Sequence, residues 1–265
     1  MSIYLDLTKQ WNAGRTRAVI CSGQAVVLLR LAIASKDGDW ILREDQEALD
    51  HVLASLDARG AHYRFGAPLD LRWLRNGWSS HFEFQHEGMR VRTDFFTRPP
   101  RVSSVELAAM WRELDGRDPP FTGPRLLMQI KQTGREKDWP IVGQLARLLT
   151  DPMEQLLCSR SARDLIALAA AHPQQLESAT RQRPALQSLG LGFDELRLAL
   201  ERERFAAMDL DAARIRAFVA ATRDLERMWP ELDRRTQGLP LRAAHTLVVE
   251  SAERWLPNQV QGTSS

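Results

Sequence analysis

Apolar and polar positions follow two different rhythms along this chain. Between residues 17 and 100 the apolar runs are short and change period often, as in a mixed α/β domain. "RAVICS" is a β-branched run of strand type that ends at Ser22-Gly23. "GQAVVLLRLAIA" has the composition and length of a helix, with Gly23 at its start. "DWIL" predicts a short strand directly after an Asp37-Gly38-Asp39 turn. "REDQEALDHVLASLDARG" sets Ala48, Leu49, Val52, Leu53 and Leu56 at helical spacing, with acids in its first turn and Gly60 as its stop. "LDLRWLR" alternates as a strand does. "HFEFQHEGMRVRTDFF" predicts a hairpin, with Phe82 and Phe84 on one arm, Met89, Val91 and Thr93 on the other, and Glu87-Gly88 at the turn.

"TRPPRVSS" ends this rhythm, because consecutive prolines cannot continue a β-ladder. Beyond it the period is almost wholly helical. The helical segments are "SSVELAAMWREL" with Ser104 as the expected cap, "GPRLLMQIKQTG", "EKDWPIVGQLARLL", "SARDLIALAAAH", "FDELRLALERERFAAM", "DAARIRAFVAATRDLERMW" and a stretch near 241–256. A boundary near 98–104 gives an α/β domain over 1–100, a helical domain over 101–257, and a disordered tail over 258–265. The expected fold class is α/β plus α: a mixed sheet with flanking helices, followed by helices alone.

Composition narrows the class of protein. The chain has 265 residues, 44% of them hydrophobic and 26% charged, with a net charge of +2. These are ordinary globular values, and no segment is a basic arm for non-specific nucleic-acid binding. The first residues lack the basic start and apolar core of a signal peptide. No stretch approaches the roughly 20 apolar residues that span a bilayer. Cys21 and Cys158 have no ligand spacing, so a reducing, cytoplasmic setting is expected. Only four of the 36 basic residues are lysine, and three of those four, Lys36, Lys131 and Lys137, fall in the two segments that carry the candidate chemistry.

The first of these is "SGQAVVLLRLAIASKDGDWIL". Taken alone, its Lys-Asp-Gly-Asp is a solvated turn, and Asp94 in "RVRTDFF" is a partner for Arg90 or Arg92. In combination they read differently. A glycine where a strand meets a helix, then Asp-x-Asp at a strand start, then a third Asp on a later strand is specific in combination, and it can serve phosphoryl or nucleotidyl transfer. Such chemistry uses two divalent cations roughly 3.5–4 Å apart. Mg²⁺ takes carboxylate oxygens and keeps several waters, so three aspartates suffice. Asp37 and Asp39, two residues apart, point to one side of an extended segment. Asp94 on a neighbouring strand completes the cluster and is the candidate base for an attacking hydroxyl. Ser22 and Gly23 would offer backbone N–H groups to a triphosphate.

This segment resembles the signature of the polymerase-β-type nucleotidyltransferase superfamily, and is most similar to its bacterial branch that includes abortive-infection toxins of toxin–antitoxin pairs. "KQTGREKDW" matches that branch's further motif, Lys-x3-Arg-x-Lys-Asp, with Lys131, Arg135, Lys137 and Asp138. The likeness covers about residues 17–150. It implies a Mg²⁺-dependent enzyme that moves a nucleoside monophosphate from an NTP to a hydroxyl of RNA (a tRNA end), a protein or a small molecule, with a cognate antitoxin as a partner. Asp37, Asp39 and Asp94 would hold two metal ions. Ser22, Gly23, Lys36, Lys131, Arg135, Lys137 and Asp138 would bind the nucleotide, the last four from the helical half. The chain departs from the pattern at Ser22, Gln24, Ile33 and Gly38. These departures support an alternative: a catalytically silent relative serving as a nucleotide-binding or protein-interaction module.

Other residues read more plainly. The six histidines show no metal-ligand spacing, and His81 and His86, flanking the hairpin turn, read as surface residues. The eight tryptophans read as packing residues, with Trp40 and Trp139 singled out as base-stacking candidates because each adjoins a motif. Cys21 reads as a small buried residue, and the arginine-rich helices from 194 to 235 as salt-bridged exteriors.

Overall fold

The structure is a computed structural model that describes residues 2–260. It divides into two compact units, one made of residues 1–122 with 215–265, the other of 123–214. Residue 100, where the sequence turns from mixed to helical, lies within the first unit.

The first unit opens with helix α1 (Ile3–Trp11), then β1 (Ala18–Cys21), α2 (Ser22–Leu28), β2 (Gly38–Leu42), α3 (Gln46–Asp57), β3 (His62–Tyr63), α4 (Leu71–Leu74), β4 (Ser80–His86), β5 (Met89–Phe96) and α5 (Ser104–Glu113). The five strands form one sheet in the order β1-β2-β5-β4-β3. β2 and β5 run parallel, and every other pair is antiparallel. Beside β1, the Ile20 N–H donates to the Pro120 carbonyl and the Thr122 N–H to the Ile20 carbonyl, which ties the segment after α5 to the sheet.

The hairpin forms as its alternation predicts. Glu87 and Gly88 take φ of 49° and 76°, the left-handed pair that a two-residue turn between twisted strands needs. Alternation then buries Phe82 and Phe84 on β4 and Val91, Thr93 and Phe95 on β5. Trp11 of α1 packs against this face, with ring centroids 4.8 Å from Trp40 and 5.4 Å from Phe95. Both buried indoles are satisfied: Trp11 Nε1 donates to Ser55 Oγ and Trp40 Nε1 to Thr8 Oγ1, each at 2.9 Å.

Several expectations need correction. α2 stops at Leu28 rather than running to residue 34, because Arg30 turns to φ 61° and breaks the ladder; Ile33 beyond it is fully exposed. "LDLRWLR" is no strand. Asp70 accepts the Arg72 N–H at 2.8 Å and caps the single helical turn α4, which buries Trp73 and Leu74. The edge strand is β3, two residues long and too short for a period to reveal. Ser103, not Ser104, caps α5, in a reciprocal box with Glu106.

The second unit contains α6 (Pro124–Lys131), α7 (Trp139–Arg147), α8 (Pro152–Cys158), α9 (Ala162–Ala171), α10 (Pro173–Gln182) and most of α11 (Phe193–Ala221). α11 joins two segments that the sequence separates. The core of this unit gathers Leu156, Leu165, Ala179, Leu186, Leu196 and Leu200. The chain then returns to the first unit through α12 (Arg223–Thr236) and α13 (Leu241–Trp255). There Leu225, Ala252, Leu256 and Val260 close over Ala67, Trp73 and Trp78. Val260 thus belongs to a core; the rest of the expected tail, 261–265, lies outside the described residues. No helix among the described residues is long and apolar enough to cross a membrane.

Candidate active site

β2 lies between β1 and β5, and its register fixes what stands beside Asp39. Cys21 of β1 pairs with Asp39, Asp39 with Asp94 of β5, and Asp94 with His81 of β4. The Arg64 N–H donates to the His81 carbonyl at 2.9 Å and extends the row past β3. Residues in register present their side chains to the same face. With neighbouring strands about 4.8 Å apart, the two carboxylates stand side by side. Trp40 and Phe95, one position on, point the other way into the core, so the alternation that buries the rings turns the acids outward.

Asp37 sits on the turn just before β2, and that turn is tied down from two sides. Gln24 Nε2 donates to the Ser35 and Asp37 carbonyls at 3.2 and 3.4 Å, and Ser35 Oγ to the Asp37 carbonyl at 3.2 Å. From α1 the Tyr4 hydroxyl donates to the Lys36 carbonyl at 2.7 Å. Burial raises the pKa of this phenol, and so do the charges of Asp37, Asp39 and Asp94. The Lys36 side chain is exposed. Ser22 follows Cys21 directly, at φ 53°, and opens α2 next to this turn. A Cβ at Gly23 would lie 2.2 Å from Ser35 Oγ, so the absent side chain makes room for the turn itself.

Two residues at the site escape sequence reasoning. His81 Nδ1 lies 2.8 Å from Asp94 Oδ1, and Arg64 Nη1 lies 3.2 Å from the same oxygen. The other ring nitrogen, Nε2, lies 3.0 Å from Ser79 Oγ, so both nitrogens of the imidazole have a partner. Gly66 closes over the ring; a Cβ there would lie 2.5 Å from His81 Cδ2. His81 is therefore a fixed partner of Asp94 rather than a surface residue beside the turn. Glu83, next along the same face, stands 3.9 Å from Arg64, 3.7 Å from Arg92 and 3.5 Å from His62. No local spacing in the sequence announces these pairs, because they depend on how β3 and β4 register.

Within the second unit, the Lys-x3-Arg-x-Lys-Asp motif is a folded loop instead of one helical face. Lys131 ends α6, residues 132–135 form a bend, and a short 3₁₀ turn carries Glu136, Lys137 and Asp138. Asp138 is the buried anchor. It accepts from Thr133 Oγ1 at 2.6 Å and Arg135 Nε at 2.8 Å, with Lys131 Nζ at 3.5 Å. Burial pushes its carboxyl up, but the Thr133 hydroxyl and the charges of Lys131 and Arg135 outweigh that and hold it below the usual carboxylate range. The Gly134 N–H donates to buried Asp211 at 2.8 Å. Lys131 is buried, while Arg135 and Lys137 are exposed.

Neither tryptophan is open to a base. Trp40 is fully buried, and Trp139 is 5% exposed, with its Nε1 donating to the Thr133 carbonyl. The carboxylate oxygens of Asp37, Asp39 and Asp94 suit a hard divalent cation, and the β1 neighbour of Asp39 is Cys21. Among the described residues no three His, Cys, Asp or Glu side chains already enclose a common point. Both contacts to Asp94 fall on Oδ1 and leave Oδ2 outside them. Comparison of the chain with protein-family models, curated proteins and solved structures returns no match in any of the three.

Proposed function

We propose that this chain is a divalent-cation-dependent nucleotidyltransferase that moves a nucleoside monophosphate from an NTP to a hydroxyl acceptor. One observation carries the reading: Asp39 and Asp94 are register partners on adjacent parallel strands, with Asp37 two residues ahead and Ser22-Gly23 following the β1 partner of Asp39. This strand pairing is what supports the reading.

Asp37 and Asp39 would hold Mg²⁺, with Asp94 sharing an ion through its second oxygen. When bound, the metal supplies charge stabilisation at the triphosphate and at the attacking oxygen. Asp94 would accept the acceptor's hydroxyl proton. The acceptor oxygen then bonds to the α-phosphorus as the bond to the β-phosphate oxygen breaks, and pyrophosphate leaves with the electron pair. The Ser22 and Gly23 backbone would face the leaving phosphates. The acceptor is RNA, a protein side chain or a small molecule, and a toxin role follows from the resemblance alone.

The test is incubation with labelled ATP, CTP, GTP and UTP, total RNA and lysate protein, comparing the wild type with Asp37→Ala. Label should move in the wild type only. Transfer that survives the substitution overturns this assignment of the site.

A second reading, a silent nucleotidyltransferase-like binding module, is favoured by Arg64, whose guanidinium already pairs with Asp94 at 3.2 Å. A thermal-shift series separates the two. A ligand at 100 times its Kd adds about 2.7 kcal/mol of stability, so a flat response to Mg²⁺ with each NTP favours the silent module.

A further inference from the structure

We propose that Arg64 is the resident cation of the carboxylate row, holding Asp94 in the free protein and competing with the divalent ion for it. This inference rests on the nucleotidyltransferase reading and deepens it by assigning control of metal loading to a residue outside every sequence motif.

Asp94 has two protein partners of different kinds. His81, fixed between Ser79 and Gly66, meets Oδ1 through Nδ1 at 2.8 Å and aims the carboxylate. Arg64 brings a full positive charge to the same oxygen at 3.2 Å, and its side chain is 31% exposed, so it can leave at little cost. It already has somewhere to go, because Glu83 stands 3.9 Å from its Nε. A guanidinium beside a carboxylate opposes a second cation there. The same charge that orders Asp94 when the site is empty therefore weakens metal binding, and movement of Arg64 toward Glu83 or an incoming phosphate relieves the opposition. Arg64 and His81 are positioning residues in this scheme. Neither touches the reacting atoms.

The measurement is Mn²⁺ affinity by electron paramagnetic resonance on the full chain without nucleotide, so that turnover is not the readout. Arg64→Gln should bind Mn²⁺ about fivefold more tightly than wild type, the effect expected for removing one like charge near the protein surface. Arg64→Lys keeps the charge and should match wild type. His81→Gln leaves the Arg64 charge in place and should tighten binding less than Arg64→Gln.

Equal or weaker binding in Arg64→Gln overturns the inference, as does equal tightening in His81→Gln, which would point to loosened packing instead of charge. Absence of Mn²⁺ binding in the wild type and all three variants defeats the metal site itself, and this inference with it. A measurement that needs no neutral variant is the Arg64 Nε–H nuclear magnetic resonance signal of the wild type, assigned by its loss in Arg64→Lys. It should shift on titration with Mg²⁺, and an unmoved signal under saturating metal also overturns the inference.

Discussion

Gly38 stands between Asp37 of the turn and Asp39 of β2, and replacing it by alanine should destabilise the first unit. Propensity alone says the opposite, since glycine inside a strand is worse than alanine by roughly 0.5–1 kcal/mol. Packing decides the sign. A Cβ at residue 38 would lie 2.3 and 2.5 Å from Cη2 and Cζ3 of Trp40 and 2.6 Å from Cδ1 of Tyr4, where ordinary contact begins near 3.4 Å. Both rings must retreat by about 1 Å, and neither can do so cheaply. Trp40 is fully buried, stacked on Phe95 at 5.6 Å and pinned by its bond to Thr8. Tyr4 is pinned by the Lys36 carbonyl.

Overpacking of this kind costs about 1–3 kcal/mol, more than the propensity gain. A unit of this size loses roughly 2–4 °C of melting temperature per kcal/mol, so Gly38→Ala should melt several degrees below wild type and Gly38→Val lower still. Thermal unfolding followed by near-ultraviolet circular dichroism, which reports the Trp11, Trp40 and Phe95 cluster, reads the result. A Gly38→Ala protein that melts at or above wild type with an unchanged spectrum would refute the argument.

Two further outcomes follow from buried polar groups. His245 Nδ1 lies 2.7 Å from the Tyr63 hydroxyl, which itself accepts the Leu69 N–H, so the ring must stay neutral; burial holds its pKa below the ordinary 6.5. Below 6.5 the unfolded chain takes up a proton that the folded chain resists, so stability should fall as pH drops from 6.5 toward the lower folded value and be insensitive to this group above 6.5. Urea midpoints across that range should flatten in His245→Gln, and an unchanged slope removes His245 as the cause. In the second unit, Asp138→Asn leaves buried Lys131 facing a neutral amide and should cost about 3 kcal/mol. Because the folded carboxyl sits below its ordinary pKa, the wild-type advantage should be complete above the usual carboxylate range and vanish as pH falls through the depressed value. Equal urea midpoints for Asp138→Asn and wild type near neutral pH would contradict it.

Much of the first unit was legible because its signals are local. The hairpin has a period of two and a Glu-Gly turn, and α3 has a period of 3.6 with Asp45 accepting the Ala48 N–H as its cap. The Ser103-x-x-Glu106 box was equally readable, and it moves the start of α5 by one residue. What escaped depends on distance. Arg64 and His81 meet Asp94 through strand register, Tyr4 reaches the site from a helix outside the motif, and α4 was hidden because seven alternating residues fit a strand as well as one capped turn. Trp40 looked available because it adjoins Asp39, but strand alternation sends neighbours to opposite faces. Lys131 to Asp138 matched a motif in letters while folding into a loop that satisfies its own charges.

The first unit is assembled from both ends of the chain, and that has a consequence for synthesis on the ribosome. When residue 122 emerges, Tyr63, Trp73 and Trp78 still lack α13, Leu225, Ala252 and Leu256, which arrive last. At about 5–20 residues per second, the roughly 140 residues from 123 to 260 take on the order of 10 s. During that interval an apolar sheet edge waits uncovered while the contiguous helical unit can already close. A nascent chain with only residues up to 240 outside the ribosome should therefore be a client for chaperones, and one with residues up to 260 outside should not.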